Sequence, residues 1–125
     1  PSALRDRHDR VRSICTRAKL SGIVKGLREA AAEDDWFERP LANLMAGSPT
    51  AAAVTLEYLR RCRLLGLEQV LALDLVVARQ CLRHHDFPEG VRALLIDKDK
   101  SPRWSPSSAA EVTPELVAEF FEPVA

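Results

Sequence analysis

Cysteine is scarce in this chain, and the little present forms no pattern. Cys15, Cys62 and Cys81 are odd in number, widely spaced and without any C-x-x-C pair. Neither a disulfide framework nor a structural zinc site is therefore signalled, and a reducing cytosol or organelle matrix fits best. Glycine is equally sparse: Gly22, Gly26, Gly47, Gly66 and Gly90 never cluster, so no glycine-rich phosphate cradle exists. A serine nucleophile elbow and a zincin helix are also missing. Aromatic residues make up only 6%, too few for an aromatic-rich sandwich. The 18 basic residues cancel the 18 acidic ones, leaving no global field to hold a nucleic-acid backbone or an anionic membrane. No apolar run approaches the roughly 18 residues of a membrane helix, and no apolar signal-peptide segment opens the chain.

What remains is 125 residues, enough for one core, with 46% hydrophobic residues drawn mainly from Leu, Val and Ala. The expectation is a single all-α domain over residues 1–125. Residues 1–36 read as basic lead-in helices. Arg5, Arg7, Arg10, Arg12, Arg17 and Lys19 crowd the start, with a thin apolar stripe at Val11, Ile14, Cys15 and Ala18. The arginines read as a solvated face. A second helix from Ser21 carries Ile23, Val24, Leu27, Ala30 and Ala31, and a third carries Trp36, Phe37, Leu41, Leu44 and Met45.

Ser48 followed by Pro49 is a helix start, because serine satisfies an orphan amide and proline in the first turn loses nothing by lacking an N–H. Gly66 ends that helix and begins a longer one. Val70, Leu71, Val77, Ala78, Cys81 and Leu82 are its expected buried face, the pair forming an αα-hairpin. Asp86 with Glu89 reads as a capping box for a short helix bearing Val91, Leu94 and Leu95. Residues 97–108 are expected to be loop. Thr113, Pro114 and Glu115 start a last helix that buries Leu116, Val117, Phe120 and Phe121. No repeat and no sustained strand alternation is present.

Three places could carry chemistry. Asp74 falls in the middle of the apolar stripe, where an unpaired carboxylate costs several kcal/mol, so it is expected to be buried and bonded. Cys81 and His85 share a face at i, i+4, with His84 and Asp86 beside them. This spacing could place ligands or activate a thiol, but core packing and helix-end placement explain these residues better. Finally, Lys98, Lys100, Arg103 and Trp104 mix cations with a ring that could embrace a nucleotide phosphate and stack on its base. The plainer reading makes Trp104 a plug for the core.

Three blocks, SPTAAAVTLEYLRR at 48–61, LEQVLALDLVVARQCLRHHDFPEGVRALLIDKDKSPRW at 67–104 and EVTPELVAEFFEP at 111–123, appear in order. Through them, residues 37–123 resemble the carboxy-terminal portion of 3-hydroxyisobutyryl-CoA hydrolases, a branch of the enoyl-CoA hydratase/isomerase (crotonase) superfamily. Residues 1–36 match only loosely, and Asp74 stands where the family usually has Glu. The resemblance implies about six helices and no catalytic β-spiral core, hence no catalytic residue in this stretch and no cofactor or metal beyond a CoA thioester as the parent enzyme's substrate. It implies an amino-terminal crotonase core as partner, contacts between subunits, and hydrolysis of a β-hydroxyacyl-CoA in valine breakdown. By position it makes Lys98, Lys100, Arg103 and Trp104 the candidate CoA contacts. The alternatives are the same region of a hydratase or isomerase, and a free-standing helical interaction module. Neutrality disfavours a helix-turn-helix DNA binder. The Ala- and Arg-rich composition points to a bacterial cytoplasm, with the mitochondrial matrix as the alternative.

Overall fold

The computed structural model describes residues 2–124, which are all-α: eight α-helices and no strand among the described residues. They gather into two compact units, Pro1–Gly47 and Ser48–Ala125, where the sequence predicts one. The division falls at the Gly47–Ser48 stop-and-start signal and not after residue 36. The third predicted helix thus belongs with the lead-in, because Trp36 and Phe37 pack on its core.

The amino-terminal unit contains α1 (Ala3–Asp6), α2 (His8–Cys15), α3 (Leu20–Glu33), a 3-10 turn (Asp35–Phe37) and α4 (Glu38–Ala46). Ile14, Ala30 and Phe37 are buried at its centre, flanked by Val11, Ile23, Leu27, Ala31 and Trp36. Helical spacing explains the set, since Ile23, Leu27, Ala30 and Ala31 lie along one face of α3. The basic start is not simply a solvated face. Arg7 grips Asp34 with two bonds, Nε to Oδ2 at 2.6 Å and Nη2 to Oδ1 at 3.1 Å, and stands over the Trp36 ring. Arg10 bonds Glu33 at 2.9 Å, and Arg17 lies 3.6 Å from Glu29. The acids closing α3 therefore answer the arginines of the lead-in. Asp34 also accepts from the Trp36 amide, capping the 3-10 turn. The Arg7 bond first, then that amide, lower the Asp34 pKa.

The carboxy-terminal unit contains α5 (Pro49–Cys62), α6 (Leu67–Arg83), α7 (Asp86–Val91), a π-helical turn (Arg92–Ile96) and α8 (Pro114–Glu119). Ser48 caps α5 through the Ala51 amide, and Thr113 caps α8 through the Leu116 amide. Val54, Phe120 and Phe121 form the core, joined by Tyr58, Leu73, Val77, Cys81, Leu116 and Val117.

α6 departs from its predicted burial. Leu73, Val77 and Cys81 pack inward, whereas Leu67, Leu71, Leu75, Ala78 and Leu82 are exposed, Leu67 by 75%. At about 100° per residue these residues form one broad apolar arc, of which only one half is covered. Leu59 and Leu64, at and after the end of α5, are exposed too. Asp74 sits between the two halves. It is exposed and not buried as predicted, and it accepts a short hydrogen bond from the Tyr58 hydroxyl. Counting periodicity located the arc correctly but could not tell which half this chain would cover. Leu94, Leu95 and Ile96 are likewise exposed, and Ala93 is the residue that the π-helical turn buries.

Candidate functional site

The residues with the densest polar connections follow α7, where the chain turns back through residues 97–105. Asp86 and Glu89 do not form the predicted capping box. His85 occupies the cap position and makes no side-chain cap bond, and Asp86 is already helical. The two acids instead make tertiary contacts. Asp86 accepts from Ser48 Oγ and from the Ser105 amide at 2.9 Å, tying the start of α5 to the returning loop. His85 Nδ1 lies 3.1 Å from the same carboxylate. Serine and histidine thus both meet the acid and not each other, the wrong order for a nucleophile, base and orienting acid. Ser48 Oγ is also occupied as a helix cap.

Glu89 accepts from Arg92 on both oxygens, each at 2.8 Å, and from the Arg103 amide at 2.8 Å. Arg92 then reaches past it. Nη1 donates to Asp97 at 2.6 Å and to Asp99 at 2.7 Å, while Nη2 also donates to the Ser101 carbonyl at 3.3 Å. Asp99 closes the loop on itself by accepting from the Ser101 amide at 2.8 Å. Both acids of the Asp-Lys-Asp-Lys run are bonded to Arg92, and Lys98 and Lys100 are exposed. Lys98 and Lys100 adopt φ of 56° and 55°, the left-handed region that costs a side-chain-bearing residue roughly 1–2 kcal/mol. Neither lysine makes an ion pair among the described residues. Arg103 is exposed as well, its backbone anchored on Glu89.

Trp104 is half-buried against α7. A Cβ placed on Gly90 would stand 3.3 Å from the edge of its six-membered ring, so the indole lies closely against the bare glycine. The ring lies at the junction between loop and helix and joins neither core cluster, whereas the plainer sequence reading makes it a plug for the core.

Glu89 and Asp99 are held below the usual carboxylate range. The Arg92 guanidinium, then the Arg103 amide, hold Glu89 down to about 2. Arg92, then the Ser101 amide, lower Asp99, and Arg92 is itself raised, by Glu89 first. Because the Glu89 pKa is depressed on folding, its contribution is complete above the ordinary carboxylate range and declines as pH falls toward about 2. Acid titration is expected to keep the Arg103 amide protected from exchange at pH 4, where ordinary carboxylates are already protonating. Loss of that protection together with the general carboxylate titration would contradict the contact.

The other candidates resolve into packing. Cys81 lies in the core cluster, and burial pushes its thiol pKa up, opposite to an activated nucleophile. His84 stacks on Phe120 with ring centroids 4.1 Å apart, and its Nε2 lies 3.6 Å from Glu119. His85, on the other side, is exposed. Among the described residues no group of three His, Cys, Asp or Glu is placed to hold a metal ion. The Tyr58 phenol, bonded to Asp74 first and then to Cys62, is held protonated well above its ordinary range. Sequence reasoning missed the part played by Arg92. The available signal was an arginine three residues after Glu89 and ahead of two alternating acids, a spacing that lets one guanidinium meet all three.

A model of the family described as enoyl-CoA hydratase/isomerase matches residues 1–121. The chain is 38% identical over 120 residues to the mitochondrial 3-hydroxyisobutyryl-CoA hydrolase of Gallus gallus, covering 95% of this chain and 31% of that protein. The Homo sapiens enzyme of the same name is 34% identical over 119 residues, covering 95% and 30%. A carnitinyl-CoA dehydratase from Mycobacterium thermoresistibile superimposes with a TM-score of 0.87 at 32% identity, covering 99% of this chain and 35% of that one. An enoyl-CoA hydratase from Rhodobacter sphaeroides 2.4.1 gives 0.87 and 32%, covering 99% and 36%. The chain spans about a third of the length of each of these relatives.

Proposed function

The chain belongs to the enoyl-CoA hydratase/isomerase family, and from that premise we propose that it serves as the helical carboxy-terminal region of a longer acyl-CoA thioesterase of the 3-hydroxyisobutyryl-CoA hydrolase kind. The observation that carries the reading is the half-covered apolar arc of α6. Leu67, Leu71, Leu75 and Leu82 are each more than half exposed, a surface that a self-sufficient helical module would bury or replace with polar residues. Its occupant in this reading is the β-rich crotonase core, the part for which the relatives' greater length leaves room. Thioester cleavage in valine breakdown then belongs to residues of that core, where backbone amides hold the developing oxyanion and a carboxylate assists attack. The hydrolase name carried by relatives at 38% and 34% identity is what supports this parent.

The helical region contributes the loop at 97–103, with Lys98, Lys100 and Arg103 set toward the phosphates of CoA and Trp104 fixing the loop to α7. A reducing compartment, bacterial cytoplasm or mitochondrial matrix, suits the three free cysteines. Among the described residues no helix is long and apolar enough to cross a membrane. The discriminating experiment is sedimentation of the 125-residue chain with and without an apolar dye. Self-association and dye binding are expected. A monodisperse, dye-negative chain with one cooperative melt would instead favour the free-standing interaction module.

A further inference from the structure

We infer that Arg92 is the positioning residue of the cationic loop: it holds Asp97 and Asp99 on its guanidinium and so leaves Lys98 and Lys100 as an exposed pair for the phosphates of a CoA ligand. The inference rests on the proposed CoA reading for the ligand, but its geometry stands on its own. A guanidinium has five N–H donors, and here every one is used. Nε and one Nη2 proton go to Glu89, the other Nη2 proton to the Ser101 carbonyl, and the Nη1 protons to Asp97 and Asp99. Two backbone bonds lock the same turn, the Asp97 amide to the Arg92 carbonyl at 2.8 Å and the Lys100 amide to the Ala93 carbonyl at 3.0 Å.

The arrangement separates charges that would otherwise cancel. In a free Asp-Lys-Asp-Lys segment each lysine has an acid as its nearest neighbour. With both acids held on Arg92, the two ammonium groups lie on the solvent side, in left-handed backbone that this chemistry would not choose unaided. Lysine cannot replace arginine here, because a point charge on a flexible stem lacks the planar fork that reaches Glu89 and the two aspartates together.

Coenzyme A and 3′-dephospho-CoA, titrated into the isotope-labelled chain at low ionic strength and followed by amide chemical shifts, test both layers. In the wild type the Lys98, Lys100 and Arg103 amides are expected to shift, more tightly with coenzyme A. Arg92→Lys keeps the charge and is expected to weaken that binding about tenfold and to speed exchange of the Lys100 amide at least tenfold, with α5 and α6 unchanged. Asp97→Ala with Asp99→Ala is the second variant and separates positioning from simple electrostatics. It adds net positive charge, so bulk attraction predicts tighter binding, whereas loss of positioning predicts weaker binding. Tighter binding by this variant, or a Lys100 amide as protected in Arg92→Lys as in the wild type, would overturn the role of Arg92. If coenzyme A moves no loop amide in the wild type, the CoA reading fails by itself and the exchange result still decides Arg92.

Discussion

Phe120→Ala is expected to cost the carboxy-terminal unit about 4 kcal/mol, within the 3–5 range for phenylalanine truncation in a core. That is close to three orders of magnitude in the unfolding equilibrium, at about 1.4 kcal/mol per factor of ten. The effect is large because α8 has only six residues and cannot persist without tertiary contacts. Phe120, 5% exposed, is one of the two rings that hold it. It packs in the cluster with Val54 and stacks on His84. Beside it Phe121 lies beneath the Arg61 guanidinium, 4.0 Å from its centroid, and Gln80 donates to the Glu122 carbonyl at 2.8 Å. Removing the Phe120 ring therefore loosens the other attachments of the carboxy-terminal segment to α5 and α6. Urea unfolding followed by Trp104 fluorescence in a Trp36→Phe background reads this unit without signal from the other. A midpoint shift equivalent to less than about 1 kcal/mol, well below the range for core phenylalanines, would mean that α8 does not complete this core.

The second large effect concerns a surface. Leu71→Glu combined with Leu75→Glu is expected to leave the chain's stability within about 1 kcal/mol of wild type, since both side chains are more than half exposed and touch no core cluster. The same variant should abolish most apolar-dye binding and convert the self-associating chain to a monomer, because two carboxylates interrupt the exposed stripe at its centre. Stability and association respond oppositely to core and surface substitutions, so the pair of variants maps which half of the α6 arc is finished within this chain. Unchanged dye binding would place the sticky surface elsewhere, with Leu94, Leu95 and Ile96 as the next candidates.

Much of the fold was legible because its signals are local. Ser48 with Pro49, Gly66, and Thr113 with Pro114 start helices where the sequence predicts: the Ser48 and Thr113 hydroxyls accept from the Ala51 and Leu116 amides, and the Gly66 amide donates to the Gln69 side chain. The readings that failed are those in which a local role competes with a distant partner. Asp86 and Glu89 have the spacing of a capping box, yet Ser48, 38 residues away, and the Arg103 amide, 14 residues away, claim their oxygens. Arg7 has the look of solvated charge, yet Asp34 lies across from it. Periodicity puts Asp74 at the centre of an apolar arc and predicts burial, yet the residue is exposed, because periodicity describes a face and not what lies against it.

The loop was legible in part. Lys98, Lys100, Arg103 and Trp104 drew attention as cations beside an aromatic ring, and the structure brings them into one turn closed by Glu89 and Gly90. The organising residue did not stand out. Arg92 is unremarkable in sequence and gains its role only when Asp97 and Asp99 fold back onto it.

If these helices serve a reaction performed by residues outside them, the purified 125-residue chain has no thioesterase activity of its own, and an assay of that chain tests this most directly. With 3-hydroxyisobutyryl-CoA as substrate, free thiol is expected to appear no faster than in buffer alone. Turnover that scales with the concentration of this chain, and survives in a Lys98→Ala, Lys100→Ala variant, would contradict it.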